Sequence, residues 1–476
     1  MVFSSLEFIL LFLPITILIY YGLLMKVGAK KPFSLSLIWL FLSSLFYYAY
    51  WKPENIFIIL GSLLINYFLA GAISSAKRWR KPIFLLGLIL NLGSLVYYKY
   101  TDFFLSSLNS LGADLPLQGI VLPIGISFFT FQQIAYLADI YTKKHDPTGQ
   151  GFLHYGLFVC FFPQLVAGPI VHHREMMPQF AAAGWEVRWD YIYQGLIALS
   201  IGLAKKVLIA DNLAPLVHYA FDVAPVLNSA EAAFGALCYT LQLYFDFSAY
   251  SDMAIGCAFM FGIQLPWNFT SPYKATDIQD FWRRWHITLS RWLRDYLYIP
   301  LGGSRSGSGR TLCNLFLTFL LGGLWHGAAW TFVLWGAMHG AALAVHRLWR
   351  NTGRSLPRLI AWPSTFLFLN LAWIVFRAKD FACVEKFMDA FFAGGWEFSR
   401  SFVYAMLEGS LFPSKHFMRL FVVAVCLIAL LGFNTQWLLK KLPSRVVHFG
   451  AAVLLFLSLA FLCIPEKPQE FIYFQF

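Results

Sequence analysis

The sequence predicts an all-α polytopic membrane protein. Of its 476 residues, 59% are hydrophobic and only 13% are charged, whereas a soluble globular chain has about 25% charged residues. Apolar runs such as residues 4–25 and 56–73 are long enough for a membrane-spanning helix, which needs roughly 20 residues. No long polar linker interrupts this pattern, so we expect a single membrane-embedded domain over residues 1–476.

The first apolar run is interpreted as a permanent span and not as a cleavable signal. No basic residue precedes it, and Lys26, Lys30 and Lys31 follow it. The seven cysteines have no CxxC pairing and are expected to be small apolar residues. The net charge of +12 could suggest nucleic acid, but the basic residues fall at the ends of apolar runs, where they fix orientation.

Basic and non-basic connections alternate along residues 1–145, which predicts five spans with the N-terminus outside the cytoplasm. The fifth span, residues 122–141, carries Gln132, Gln133 and Asp139 and is expected to line a cavity. Residues 152–170 end in FFPQLVAGPI, whose two prolines and one glycine predict a broken or re-entrant segment.

Residues 231–262 form a long apolar stretch with a polar interior. Buried carboxylates need hydrogen-bond partners or water, so these side chains either line a cavity or hold helices together. The predicted cavity-lining residues, with Gln132, are Tyr244, Asp246, Ser248 and Asp252.

Apolar runs and polar connections alternate simply again in residues 351–476. A basic connection lies at 347–358, and the longest polar loop lies near 378–415. The three regions are thus N-terminal spans (1–145), a polar core with re-entrant and interfacial helices (146–350) and C-terminal spans. Span lengths predict about ten to twelve crossings.

The chemistry is expected between residues 280 and 346. As a helix, residues 280–297 place Trp282, Trp285 and Trp292 on one arc and the arginines on the opposite one, which is typical of an interfacial helix. His286 lies at the edge of the aromatic arc, where a lone histidine is more often a packing residue. The arginines could contact lipid headgroups or bind a phosphate-bearing donor.

The motif LLGGLWHGAAW surrounds His326 with small residues, so that backbone and ligand could approach its ring. His339 and His346 share a helix face and are interpreted as capping or hydrogen-bonding residues. The glycine-rich loop at 301–310 matches neither phosphate-loop fingerprint, and no metal-site or hydrolase signature occurs. An imidazole suits general-base work because its pKa lies near neutrality.

The motifs DFWRRWHITLSRWLRDYLYIPLGG and GGLWHGAAW resemble those of the membrane-bound O-acyltransferase family. LPIGISFFTFQQIAYLADIY, FFPQLVAGPI, LQLYFDFSAYSDMAIG and the terminal FIYFQF are similar to its bacterial alginate O-acetyltransferase branch. The resemblance implies a ring of helices around a central funnel or tunnel in the bacterial inner membrane. His326 matches the invariant family histidine, and His286 matches the second, more variable site position.

The resemblance also implies that acetyl-CoA is the cytoplasmic donor substrate, with no bound cofactor and no metal. The acetyl group would pass to periplasmic acetyltransferase partners that modify an exported, alginate-like polysaccharide, with membrane lipid around the enzyme and no nucleic acid. His326 would act as general base or transient acyl carrier. The residues expected to bind the donor are Arg283, Arg284, Arg291, Arg305 and Trp325.

Three alternatives remain open. One is D-alanyl transfer from a carrier protein to teichoic acid, and another is acetylation of cellulose or peptidoglycan. The third is a transporter, but transporter folds tend to contain two related halves, and the sequence has no detectable internal repeat.

Overall fold

The fold is built from α-helices. A computed structural model describes residues 1–26, 33–143, 151–182, 187–305, 307–408, 412–441, 444–464 and 471. Within these ranges no β-strand occurs. The chain forms two compact units, Met1–Ser200 with Tyr250–Trp267, and Ile201–Ala249 with Asn268–Phe476.

The helices of the first part of the chain are α1 Leu13–Lys26, α2 Phe33–Ala49, α3 Asn55–Ser75, α4 Arg80–Leu95, α5 Thr101–Asn109, α6 Ile126–Tyr141, α7 Phe152–Cys160, α8 Phe162–Leu165, α9 His173–Ala182 and α10 Trp189–Ala204. They are followed by α11 Asp211–His218, α12 Ser229–Met260, α13 Ile278–Arg284, α14 Ile287–Leu293, α15 Ser308–His326 and α16 Trp330–Asn351. The last helices are α17 Arg358–Arg377, α18 Phe381–Phe392, α19 Arg400–Glu408, α20 Lys415–Leu431, α21 Thr435–Lys441 and α22 Ser444–Leu462. Short π-helical turns occupy Phe8–Phe12, Val96–Tyr100, Lys205–Ala210, Tyr219–Val223 and Arg294–Tyr298, and Pro272–Lys274 is a 3₁₀ turn.

Helices long and apolar enough to cross a membrane confirm a multi-pass membrane protein. Among the described residues they are Asn55–Ser75, Arg80–Asn109, Trp189–Val223, Arg358–Arg377 and Arg445–Leu462. The pair α20 and α21, bent by 63°, adds a sixth if it is one broken span, and Phe8–Leu23 and Leu35–Ala49 are shorter apolar helices. Ten to twelve crossings therefore stay a prediction, as does the single-domain division.

Apolar side chains on these spans face outward. Phe57, Ile89 and Phe456 are each more than 60% exposed, as expected for residues in contact with lipid chains. The first unit has a polar interior in addition: Gln133 accepts hydrogen bonds from Ser62 and Asn66. Gln133, one of the polar residues of the segment 122–141, thus serves the contact between α3 and α6.

The predicted break in residues 152–170 is confirmed. Helix α7 ends at Cys160, and Phe161 has a non-helical ψ of 111° before the four-residue α8 begins. Pro163 stands in the first turn of α8, where a missing backbone N–H costs nothing because that donor has no intrahelical acceptor.

A helical hairpin of α15 and α16 dominates the second unit. The two helices pack closely through glycines: a Cβ on Gly323 would overlap the carbonyl oxygen of Phe332, and one on Gly336 would overlap that of Phe319. A Cβ on Gly340 would come within 2.9 Å of the Phe316 backbone. These close approaches fix the hairpin and, with it, the position of His326 at the end of α15.

Candidate active site

His326 stands in an aromatic box. It is the last residue of α15 and is only 6% exposed. Its ring lies 5.0 Å from Trp325, 5.1 Å from Trp335 and 5.4 Å from Phe376, all edge-on. These contacts come from α15, α16 and α17, so three helices restrict the orientation of the imidazole.

The glycines around His326 have a different role from the one predicted. Close approach of backbone is confirmed at Gly323, but a Cβ on Gly327 would overlap the ring of Phe332. Both glycines therefore make room for other parts of the protein. These contacts do not support the expectation that the glycines let a ligand reach His326.

The predicted helix over residues 280–297 is broken at His286. Helix α13 ends at Arg284, and His286 adopts the left-handed conformation, with φ 42° and ψ 52°, before α14 begins. A non-glycine residue there costs roughly 1–2 kcal/mol, so the surrounding contacts must hold it. The predicted separation of faces is nevertheless confirmed, since Trp282, Trp285 and Trp292 are buried while Arg283 is exposed.

Asn268 supplies the contacts that hold this break. Its side-chain oxygen lies 3.1 Å from His286 Nδ1, and it accepts hydrogen bonds from the backbone N–H and the hydroxyl of Thr288 at 3.2 and 2.9 Å. The backbone carbonyl of Asn268 also accepts from the N–H of Ile287 at 3.0 Å. One asparagine thus connects the left-handed residue to the first residues of α14, which the sequence motif did not reveal.

This arrangement identifies the tautomer of His286. A backbone N–H can only donate, so the Asn268 atom that meets the Thr288 N–H is the oxygen. The Nδ1 of His286 must then carry the proton and donate it to that oxygen, which leaves Nε2 with a lone pair. Among the described residues this buried Nε2 has no hydrogen-bond partner.

His286 is neutral and close to His326. It is fully buried, and this burial lowers its pKa to about 3. The centroids of the two imidazole rings are 6.4 Å apart, so the structure brings the two predicted catalytic residues together. A neutral imidazole with a free lone pair can accept a hydrogen bond from an O–H or N–H group but cannot donate one to a developing oxyanion.

His339 belongs to the same cluster, although the sequence favoured a purely structural role for it. It is fully buried, and its Nδ1 accepts a hydrogen bond from the indole N–H of Trp282 at 3.2 Å. Its ring lies 4.6 Å from Trp335, which in turn contacts His326. The hydrogen-bonding role predicted for His339 is confirmed. Its contact with Trp335, which lines the box around His326, could not be predicted from the spacing of the histidines in the sequence.

The predicted cavity-lining residues separate into different environments. Tyr244 belongs to the aromatic layer next to His286, with its ring 6.4 Å from Trp285 and 5.3 Å from Tyr273. Asp246 instead binds Lys206 Nζ at 2.8 Å, and the same amine binds Asp211 at 2.8 Å. Ser248 lies on the same helix and is buried.

Two further residues of that set lie in the other compact unit. Gln132 on α6 and Asp252 on α12 are both buried within the first unit. In the same unit Asp139 binds Arg174 at 3.3 Å, with His173 Nε2 at 3.9 Å.

The predicted donor-binding residues also differ from one another. Arg284 is bound to Asp280 at 2.9 Å, whereas Arg283 and Arg305 are exposed and Arg291 is half-buried. Trp325 is buried against His326. The structure therefore places Trp325 in the histidine site.

The known proteins that this chain resembles are acyltransferases. Residues 94–381 match MBOAT, the membrane-bound O-acyltransferase family. The chain is 46% identical to a peptidoglycan O-acetyltransferase of Helicobacter pylori, over 81% of this chain and 79% of the relative. It is 40% identical to a probable alginate O-acetylase of Pseudomonas aeruginosa, over 84% and 76% respectively.

A more distant relative is a teichoic acid D-alanyltransferase of Bacillus subtilis, 28% identical over 56% of this chain and 71% of the relative. The matched residues 94–381 include His286, His326, His339 and Asn268. The chain is therefore an acyltransferase and belongs to the membrane-bound O-acyltransferase family.

Proposed function

We propose that the protein transfers acetyl groups from cytoplasmic acetyl-CoA across the bacterial inner membrane for O-acetylation of a polysaccharide outside it. The observation that carries this proposal is the pairing of His286 with His326, 6.4 Å apart inside a buried aromatic cluster of an acyltransferase. Buried imidazoles in a water-poor site suit the transfer of an acyl group without its loss to hydrolysis.

In this mechanism His326 accepts the proton of the acceptor hydroxyl while that oxygen attacks the acetyl carbonyl carbon. The carbon–sulfur bond then breaks, and the departing thiolate takes the proton from the imidazolium. Alternatively, a ring nitrogen of His326 itself takes the acetyl group and passes it to the hydroxyl in a second step. General-base catalysis contributes about 10²–10⁴-fold to the rate.

His286 is assigned a positioning role. Its Nε2 lone pair can accept a hydrogen bond from the acceptor hydroxyl or from an amide N–H of the donor. With a pKa of about 3, it is too weak a base to remove a hydroxyl proton near neutral pH, so the proton transfer is assigned to His326.

We place the helices in a ring of about ten to twelve crossings around a central funnel. Arg283, Arg284, Arg291 and Arg305 face the cytoplasmic donor, since basic connections stay on that side. Periplasmic acetyltransferase partners receive the acetyl group.

Two acceptors have support. Alginate-like exopolysaccharide is favoured by the motifs and by the relatives named as alginate O-acetylases, including that of Pseudomonas aeruginosa at 40% identity. Peptidoglycan is favoured by the relative of Helicobacter pylori at 46% identity. Mass spectrometry of both polymers from cells with and without the gene would distinguish them, because acetylation would be lost from one polymer.

The reaction is tested with purified protein in lipid nanodiscs and acetyl-CoA labelled in the acetyl group. We expect release of free coenzyme A and label transfer that fall at least 100-fold in His326→Ala, while the variant elutes and melts as a folded protein. Full activity of His326→Ala would overturn the assignment.

Two control reactions separate the alternatives. A D-alanyl carrier protein charged with D-alanine replaces acetyl-CoA in one of them, and turnover there alone would indicate the teichoic acid reaction. Uptake of label into vesicles without cleavage of the thioester would indicate a transporter.

A further inference from the structure

A basic cavity lies at the opposite end of the α15–α16 hairpin from His326. It has a volume of about 440 Å³ and is bordered by α13, the glycine-rich loop and the C-terminal part of α16. Its polar lining residues include Gln279, Tyr298, Ser304, His346, Arg347 and Arg350. Ser304 belongs to the glycine-rich loop that the sequence singled out, whereas the arginines come from α16.

The charge of this cavity is not balanced by its lining. None of its lining residues is acidic. Arg350 Nη1 donates to the neutral side-chain oxygen of Gln279 at 2.6 Å, and His346 Nε2 lies 3.5 Å from Asp277. Within the described part of the chain, no carboxylate forms an ion pair with Arg347 or Arg350.

Two guanidinium groups without an acidic partner, of which Arg347 is half-buried and Arg350 is exposed, border a cavity whose size fits an anionic ligand. Guanidinium forks match the geometry of phosphate oxygens and can bind them through two parallel hydrogen bonds. The hydroxyl groups of Tyr298 and Ser304 and the amide of Asn351 add neutral groups that can bind the sugar or base to which a phosphate is attached.

The position of the cavity relates it to the histidine site. Helix α16 contributes Leu343 and Arg347 to the cavity and Trp335 to the box around His326. From residue 335 to residue 347 the helix rises roughly 18 Å at 1.5 Å per residue. A donor with phosphates at one end and a thioester at the end of an extended pantetheine arm spans a separation of this kind.

We propose that this cavity binds the phosphate groups of the nucleotide end of the acyl donor, with Arg347 and Arg350 as the anion-binding residues. The inference rests on the proposed function, in which the donor is a coenzyme A thioester. The basic connection at residues 347–358 is expected in the cytoplasm, which is where such a donor is available.

The test measures binding of free coenzyme A to the full-length protein in nanodiscs of uncharged phosphatidylcholine. The double variant Arg347→Gln with Arg350→Gln should bind coenzyme A at least tenfold more weakly than the wild type. Arg354→Gln is the matched control, because Arg354 is exposed and does not line the cavity. Pantetheine, which has no phosphate, should bind the wild type and the double variant equally.

Kinetics give a second readout. The double variant should raise KM for acetyl-CoA about tenfold and leave kcat unchanged, because the phosphates do not take part in the bond changes. Lysine at both positions should restore part of the affinity, since it keeps the charge but loses the fork geometry.

Two outcomes would overturn the inference. One is coenzyme A affinity in the double variant equal to that of the wild type. The other is a cavity that takes lipid instead, shown by an Arg347-dependent gain in binding of phosphatidylglycerol with unchanged binding of coenzyme A. If wild-type protein binds coenzyme A through Arg347 but transfers no acetyl group, the cavity assignment stands and the proposed reaction fails.

Discussion

Asn268 is the residue on which the chemistry of His286 depends. Its oxygen meets the Nδ1–H of His286 and both donors of Thr288, so it fixes the ring, the tautomer and the left-handed turn together. A buried donor that loses its acceptor costs about 1–3 kcal/mol. Removal of the Asn268 side chain therefore affects stability as well as the orientation of the lone pair.

Replacement of Asn268 by aspartate should change the proton equilibrium while keeping the geometry. A carboxylate beside Nδ1–H favours the imidazolium form and raises the pKa of His286. We expect Asn268→Asp to lose activity at a higher pH than the wild type as the solution is acidified. The pH profile of kcat/KM measures this, and Asn268→Ala controls for simple loss of the contact. An unchanged profile would contradict the assigned tautomer.

The burial of His286 also makes stability depend on pH. The folded protein holds this residue neutral down to a pKa of about 3, whereas the unfolded chain binds a proton below about 6.5. Stability is therefore fully present above pH 6.5 and falls as the pH drops, by about 2 kcal/mol at pH 5.

His286→Gln should remove this part of the pH dependence. The amide can still donate to Asn268 but does not titrate. Thermal unfolding of the wild type and the variant is measured at pH 8 and at pH 5. The melting temperature of the wild type should fall further between these pH values than that of the variant. Equal losses would mean that His286 does not stay neutral in the folded protein.

At the scale of elements, the α15–α16 hairpin is built on glycines that admit no side chain. Gly323→Ala would press a methyl group against the carbonyl oxygen of Phe332, and such overpacking costs about 1–3 kcal/mol. In the same helix, a Cβ on Gly309 would meet no neighbouring atom within 4 Å. There alanine should stabilise the helix by up to about 1 kcal/mol.

The two variants thus form a matched pair that moves the melting temperature in opposite directions. Thermal unfolding of the purified protein, followed by tryptophan fluorescence, gives both values under one condition. A tolerated alanine at Gly323 would show that α15 and α16 are less closely packed than described.

Another element depends on a lysine in the predicted polar loop. Lys386 on α18 donates to the carbonyl oxygens of Ala220, Phe221 and Ala224 at 2.9–3.1 Å, where the helical segment Trp189–Val223 ends. It thereby satisfies carbonyl groups that a helix end leaves without intrahelical donors. Lys386→Met keeps the aliphatic stem and should lower stability by about 1–3 kcal/mol.

Exposed Lys379 provides the control for that variant. Its side chain is 74% exposed, and Asp222, to which it binds, is also bound by Arg377. Lys379→Met should therefore change the melting temperature much less than Lys386→Met. Equal effects would indicate that charge alone, and not the carbonyl contacts, stabilises this end of the helix.

Sequence periodicity predicted the burial of the tryptophans in residues 280–297 but missed the break at His286. The reason is that a left-handed residue leaves no mark on an apolar pattern, and its stabilising partner, Asn268, lies 18 residues earlier. Likewise, the glycines around His326 predicted close approach of backbone and of a ligand, and the contacts of Gly323 and Gly327 are with the protein itself.

The arginines illustrate the same limit at longer range. Those of residues 280–297 stood out because they were dense in the sequence, yet Arg284 is bound to Asp280. The two arginines without acidic partners at the cavity, Arg347 and Arg350, lay in a connection that was interpreted as an orientation signal. Charge density along a chain does not reveal which charges neutralise each other, because that depends on contacts between distant segments.

At the scale of the whole molecule, the proposed transfer of an acetyl group from the cytoplasm to an exported polymer requires the two sides of the membrane to be defined. The basic residues 347–358 are expected in the cytoplasm, and Arg358–Arg377 is long and apolar enough to span the bilayer. The connection that follows, including α18 and α19, should then face the periplasm.

Single-cysteine labelling tests this orientation in intact cells. Arg354 and Arg400 are both exposed and flank the span Arg358–Arg377 in the sequence. Cysteine is therefore placed at one or the other in a variant whose seven native cysteines are replaced by alanine. A membrane-impermeant maleimide should label Arg400→Cys in intact cells and Arg354→Cys only after the cells are opened. Labelling of both from outside would place the Arg347 cavity on the side that has no acetyl-CoA, and the donor assignment would fail with it. If Arg354→Cys were labelled in intact cells and Arg400→Cys only in opened cells, the basic residues would lie outside the cytoplasm, against the usual orientation rule. The acetyl group would then move in the opposite direction.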